Sequence, residues 1–144
     1  MEALNEEGSG VDESNLILLD SDGEEIPMEL EQAFDRTKDC TAYFATSDYL
    51  ARHVINGLYD RGLRVPEDVS VAGFDDNIYS RMGRPRITTV HQNVSQKGEL
   101  AVEYILKQIR GETVDRNWII LPVELNVKDS VKCLKQEEEP SAGR

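Results

Sequence analysis

Three short apolar runs alternate with two stretches of helical period, and this alternation limits what the chain can fold into. Leu16-Ile17-Leu18-Leu19 reads as a buried strand closed by the turn Asp20-Ser21-Asp22-Gly23. Pro27 suits the first position of a helix, with Glu24, Glu25, Glu29 and Glu31 near its positive end. Leu30, Ala33, Phe34 and Thr37 follow at i, i+3, i+4, i+7 spacing. Thr41–Thr46 reads as the second strand. Ser47 and Asp48 are both good caps for a helix striped by Ala51, Val54, Ile55 and Leu58, and Gly62 suits its C-terminal end. Val69–Phe74, introduced by Val65-Pro66-Glu67-Asp68, is the third strand. The order β-α-β-α-β with short connections predicts a parallel sheet covered by helices, with right-handed crossovers.

After Asp76 the period is lost, and Asn77–Pro85 reads as a loose connection containing Gly83 and Pro85. Ile87–Val90 is short, β-branched and extended. Val94–Arg110 is a strong helix with Gly98, Ala101, Val102, Ile105, Leu106 and Ile109 on one broad apolar face, closed by Gly111. Trp118–Leu121 reads as a further strand stopped at Pro122. Val123, Leu125 and Val127 then alternate with Glu124, Asn126 and Lys128, which leaves one face of that strand to solvent. Residues 1–15 read as a disordered acidic tail, 16–132 as one folded unit and 133–144 as a loose tail.

Each of the three strands ends in short polar residues: Asp20-Ser21, Ser47-Asp48 and Asp75-Asp76. In a parallel sheet these ends share one edge, where open α/β sheets hold ligands. Asp48 reads as a helix-capping group and Asp76, before Asn77, as a turn residue. Asp75 stands directly at the strand end, where a carboxylate can accept hydrogen bonds from vicinal hydroxyls. Nothing in the spacing suggests catalysis. There is no Ser-His-Asp or Cys-His arrangement, no nucleotide-loop motif, and adjacent carboxylates in an extended segment point opposite ways.

The formal charge of −12 argues against direct contact with a phosphate backbone, which needs a basic face. Glu2, Glu6, Glu7, Asp12 and Glu13 hold a good part of it without a nearby Lys or Arg. No apolar run approaches the ~20 residues of a membrane span. The N-terminus lacks the basic-then-apolar order of a signal peptide, so a cytoplasmic protein with no membrane association is expected. Cys40 and Cys133 read as reduced thiols, and His53 and His91 fit no metal-ligand spacing, so neither metal nor cofactor is expected.

Thr41–Asp48, Gly62–Asp76, Ile87–Val90 and Leu121–Leu125 together resemble the effector domain of LacI/GalR-type transcription regulators, in order and in spacing, across residues 16–132. The resemblance implies an incomplete periplasmic-binding-protein-like (type I) α/β fold. It also implies a small sugar- or nucleoside-like effector held between two subdomains, and operator DNA bound, usually as a homodimer, through an N-terminal helix-turn-helix domain absent from this chain. The family's cleft residues fall at Ser47, Asp75 and Gln92. Asp75 and Gln92 match the family pattern. Ser47 stands where Asn is usual, and the aromatic that often stacks on the sugar near Ser21 is missing.

In that family the chain crosses to the other subdomain after Thr-Thr-Val and returns near Trp118–Pro122, so Val94–Arg110 is expected to lack its cover. It is expected to pack back on its own sheet, to exchange with a second copy, or to stand out of its native context without that cover. The chain alone is expected to bind ligand weakly or not at all. Two alternatives to an effector-sensing regulator remain at this level: a periplasmic-type sugar-binding protein of the same fold, and a dimerisation or interaction module that has lost its ligand.

Overall fold

A computed structural model describes residues 12–19, 25–113 and 119–133. The two predicted helical stripes are its core. Helix α1 (Ile26–Arg36) starts with Pro27 in its first turn and buries Ile26, Leu30, Ala33 and Phe34. Strand β1 (Ala42–Phe44) follows, then helix α2 (Asp48–Asp60), which buries Ala51, Val54, Ile55 and Leu58. Gly62, at φ +79, ends that helix in the left-handed conformation that glycine tolerates without strain.

Strand β2 (Ser70–Asp75) pairs in parallel with β1 on one side and with β3 (Thr88–Gln92) on the other. A one-turn helix α3 (Ile78–Arg81) lies between β2 and β3, capped by the Asn77 side chain accepting from the Tyr79 N–H. The loop after it is held by Arg52, whose Nη2 donates to the carbonyls of Tyr79, Met82 and Pro85. Helix α4 (Val94–Ile109) leads to β4 (Val123–Asn126), which pairs antiparallel with β3. The sheet order is β1-β2-β3-β4.

The core lies on one face of the sheet, where Val71 meets Ile55 and Leu58 of α2 with Leu30 and Phe34 of α1 behind them. Phe34 also packs edge-on against Tyr43 at 5.7 Å. Below the β2–β3 pair, Ser130 is wholly buried. Its hydroxyl accepts from the Thr88 N–H and donates to the Val71 carbonyl, while its own carbonyl accepts from the Val71 N–H. The segment after β4 is thereby sewn into the sheet.

Three expectations change. Leu16–Leu19 joins no ladder, and Leu18 is 80 % exposed, because an apolar run records a demand for burial but not a hydrogen-bonding partner. Ile119–Leu121 is likewise no strand. The ladder begins at Val123, opposite Gln92, and β3 has no residues left to pair with 119–121 because Asn93 already caps α4. Asn77–Pro85 is not wholly loose, since it contains α3.

Helix α4 forms where its period placed it, yet it buries no residue. Val102, Ile105 and Ile109 remain more than half exposed, so the helix does not pack back on this sheet. Strand β4 is exposed along its whole length, both faces included. The two tails at residues 1–11 and 134–144, the Asp20-Ser21 pair and Trp118 lie outside the described residues. Glu13–Asn15 makes a single exposed 3-10 turn.

Candidate functional site

The carboxyl edge of β2 is where the backbone departs from ordinary geometry. Asp75 has φ +100 and Asp76 φ +53, the only two non-glycine residues with positive φ among those described. Such conformations cost about 1–3 kcal/mol each and persist where the surroundings enforce them. Here the enforcement comes from both sides of the corner.

On one side stands Asp48, in the first turn of α2 and wholly buried. Its Oδ2 accepts from the Asn77 N–H at 2.8 Å, and its Oδ1 accepts from the Thr89 hydroxyl at 2.6 Å. Capping of α2 falls instead to Ser47, whose Oγ accepts from the Leu50 N–H. Asp48 therefore ties α2 to the turn after β2 and to β3, a role that its position before an apolar stripe does not reveal.

On the other side lies Asp76, with its side chain 5 % exposed. Lys128 Nζ and Ser80 Oγ donate to its Oδ1 at 2.7 and 2.9 Å. Arg81, His91 and Asn126 surround Oδ2 at 3.2–3.3 Å. Burial alone would raise this carboxyl, but hydrogen bonds from Lys128 and Ser80, the Lys128 charge and the Asn126 amide hold it well below the usual carboxylate range. Asp76 thus shapes the turn, as its place before Asn77 suggests, and also anchors β3, β4 and the segment beyond β4. Sequence spacing offered no signal for its partners.

Asp75 is left facing outward. Its Oδ1 accepts from the Gln92 amide at 2.6 Å, so the two residues that sequence reading placed in a cleft are brought into direct contact. Both line an open concavity of about 650 Å³, together with His91, Asn93, Ser95 and Lys97. Ser47 is not among its lining residues, and its hydroxyl oxygen is engaged at the helix cap. Asn93, His91 and Lys97 add polar groups that the sequence alone did not single out. Among the described residues no cluster of His, Cys, Asp or Glu is arranged to hold a metal ion, and no helix is long and apolar enough to cross a membrane.

Comparison with known proteins identifies the family and the fold. The model of the periplasmic binding protein-like domain matches residues 6–131. Catabolite control protein A of Priestia megaterium is 34 % identical over 130 residues, which cover 90 % of this chain and 39 % of that protein. Among solved structures, the transcriptional regulator CelR in complex with cellobiose superposes with a TM-score of 0.81 at 31 % identity, covering 90 % of this chain and 39 % of the other. The lac repressor dimer bound to operator and an anti-inducer superposes with a TM-score of 0.62 at 27 % identity, over 77 % of this chain and 37 % of the other. The sequence thus spans well under half the length of these relatives.

Proposed function

Because this chain belongs to the LacI-type family of transcription regulators, in the part that forms their periplasmic binding protein-like domain, we propose that it senses a small sugar- or nucleoside-like effector. The observation that carries the reading is the Asp75–Gln92 pair at the mouth of the open cleft. A carboxylate accepts two hydroxyl protons, and the neighbouring amide both donates and accepts, which suits a ligand carrying vicinal hydroxyls. Ser47 stands outside this cleft lining and caps α2, so the contacts proposed here are Asp75 and Gln92. The cellobiose held by CelR supports a carbohydrate.

Ligand closes two lobes about the β3 exit and the β4 return, and the closure changes the spacing of two DNA-binding heads in a homodimer. Operator DNA is reached through a helix-turn-helix unit outside this sequence, since the chain itself carries a charge of −12. The operator-bound dimer of the lac repressor supports both the dimer and the DNA partner. Such a protein works in the cytoplasm. The named relatives are regulators, which favours regulation over transport or catalysis. An interaction module is the second reading, favoured by the exposed apolar face of α4.

The test is the melting temperature of the complete regulator with D-ribose, D-glucose, cellobiose and adenosine in turn. At least one is expected to raise it, and Asp75→Ala to abolish the rise. An equal rise in the variant would remove Asp75 from the site. No rise with any of the four would favour the interaction module.

A further inference from the structure

We propose that Asp48 is a positioning residue for the Asp75 carboxylate, acting through the Asp76 and Asn77 peptides. The proposal rests on reading Asp75 as a ligand contact. Asp48 touches no part of the cleft surface, yet both its oxygens are committed to the corner that presents Asp75. One holds the Asn77 N–H directly. The other holds the Thr89 hydroxyl, whose oxygen in turn faces the Asp76 N–H at 3.4 Å.

The two amides that follow Asp75 are thereby fixed, one directly and one through Thr89. Those amides belong to the peptides that set the backbone at Asp75 and Asp76, the two residues with positive φ. Without that hold, each would relax toward the extended or helical basins that non-glycine residues prefer, and the carboxylate would swing away from Gln92.

Three further observations show that the surroundings are arranged for this contact. Asp48 is fully buried, and its two oxygens are satisfied by the Asn77 N–H and the Thr89 hydroxyl, at the end of α2 where the helix dipole favours an acceptor. A structural cap would need none of this, because Ser47 already caps the helix. Strand β2 also carries Gly73 directly beneath, where an added Cβ would collide with Asp48 Oδ1. Glycine there lets the carboxylate lie close against the strand.

The experiment uses the ¹⁵N-labelled chain with Asp48→Asn, an isosteric change that turns one acceptor into a donor. Backbone couplings of Asp75 and Asp76 report φ, and amide exchange of Asn77 reports the lost hydrogen bond. The couplings are expected to move toward averaged values. Asn77 exchange is expected to rise about ten-fold or more, while the core amides of Ile55 and Val71 keep theirs. Cellobiose and D-ribose then serve as probes in calorimetric titrations of the complete regulator. Affinity for whichever binds should fall about ten-fold in Asp48→Asn, and the same change should cost nothing further in an Asp75→Asn background, which keeps one acceptor oxygen and measurable binding.

Additive losses would show that Asp48 does not act through Asp75 and would overturn the proposal. So would unchanged couplings and exchange. If neither sugar binds the complete regulator, the ligand reading loses support, while the couplings and the Asn77 exchange still decide whether Asp48 holds the corner. Should Asp48→Asn fail to fold, Thr89→Val removes the hydroxyl arm alone and should give the same changes in smaller size. No change in that variant counts against the proposal.

Discussion

Asp76 and Lys128, 52 positions apart, meet at 2.7 Å at the carboxyl edge of the sheet, with side chains only 5 % and 10 % exposed. The pair joins the turn after β2 to the segment that follows β4. It also brings Ser80, His91 and Asn126 around one carboxylate, so the corner that presents Asp75 is tied to every neighbouring strand except β1.

Removing Lys128 takes away the nearest cation of the buried Asp76 carboxylate and leaves it the exposed Arg81 at 3.2 Å. Lys128→Ala is expected to cost about 3 kcal/mol in urea unfolding. A loss within the range of an exposed ion pair, under about 1 kcal/mol, would show that water screens the site.

The same carboxylate sets an acid limit. Its folded pKa lies below the unfolded value of 3.8, so the stability it contributes is present above that value and is lost as the pH falls below it. Asp68, lowered to about 2 by hydrogen bonds from the Arg64 side chain and backbone, acts in the same direction between 3.8 and about 2. Stability measured against pH should therefore fall below about pH 4, and the slope should be shallower in Asp76→Asn. An unchanged slope would assign the acid loss to other groups.

The positive φ of Asp75 predicts a reversed ranking of two small residues. In an ordinary strand glycine is less stable than alanine by about 0.5–1 kcal/mol. At this position Asp75→Gly should be the more stable of the two by about 1 kcal/mol, since alanine at φ +100 keeps the strain. Both variants lose the carboxylate, so the comparison isolates the backbone. The usual order would contradict the strained corner.

Gly73→Ala should destabilise by about 2 kcal/mol through overpacking, since the new methyl would meet Asp48 Oδ1 and stand 3.3 Å from Ala51 Cβ. Shortening the neighbour, in Gly73→Ala combined with Asp48→Ser, should recover part of the loss. Equal loss in the single and double variants would place the clash elsewhere.

Two isoleucines on helices of similar amphipathic pattern should behave differently. Ile55→Ala, in the core, is expected to cost about 3 kcal/mol. Ile105→Ala on α4, where the residue is 54 % exposed, should stay within about 0.5 kcal/mol. Chemical denaturation of both variants at low protein concentration checks the contrast. A large loss at Ile105 would reveal a cover for α4.

That contrast also marks how far sequence reading went. The stripes Leu30–Ala33–Phe34 and Ala51–Val54–Ile55–Leu58 are buried where their spacing placed them. The stripe on α4 is just as regular, but period reports only that a face is apolar, not that anything lies against it. Leu16–Leu19 failed for a related reason, since a run of apolar residues does not specify a ladder partner. Asp75 was legible from its place at a strand end and from the family pattern, and Gln92 from the family pattern alone. The structure brings them into contact, and Ser47 is instead engaged in capping α2.

By itself the sequence determined helices α1, α2 and α4, the parallel alternation of β1 and β2 and the edge at which polar groups collect, but not the pairing of β3 with β2 or helix α3. What it determined follows from local period and from the handedness of short crossovers. Only the tertiary structure decided that Asp48 and Asp76, read as a cap and a turn, are the buried groups that hold the corner beneath Asp75. Their partners lie 29, 41 and 52 positions away. A carboxylate's neighbours in sequence carry no record of which donors will reach it once its desolvation must be compensated.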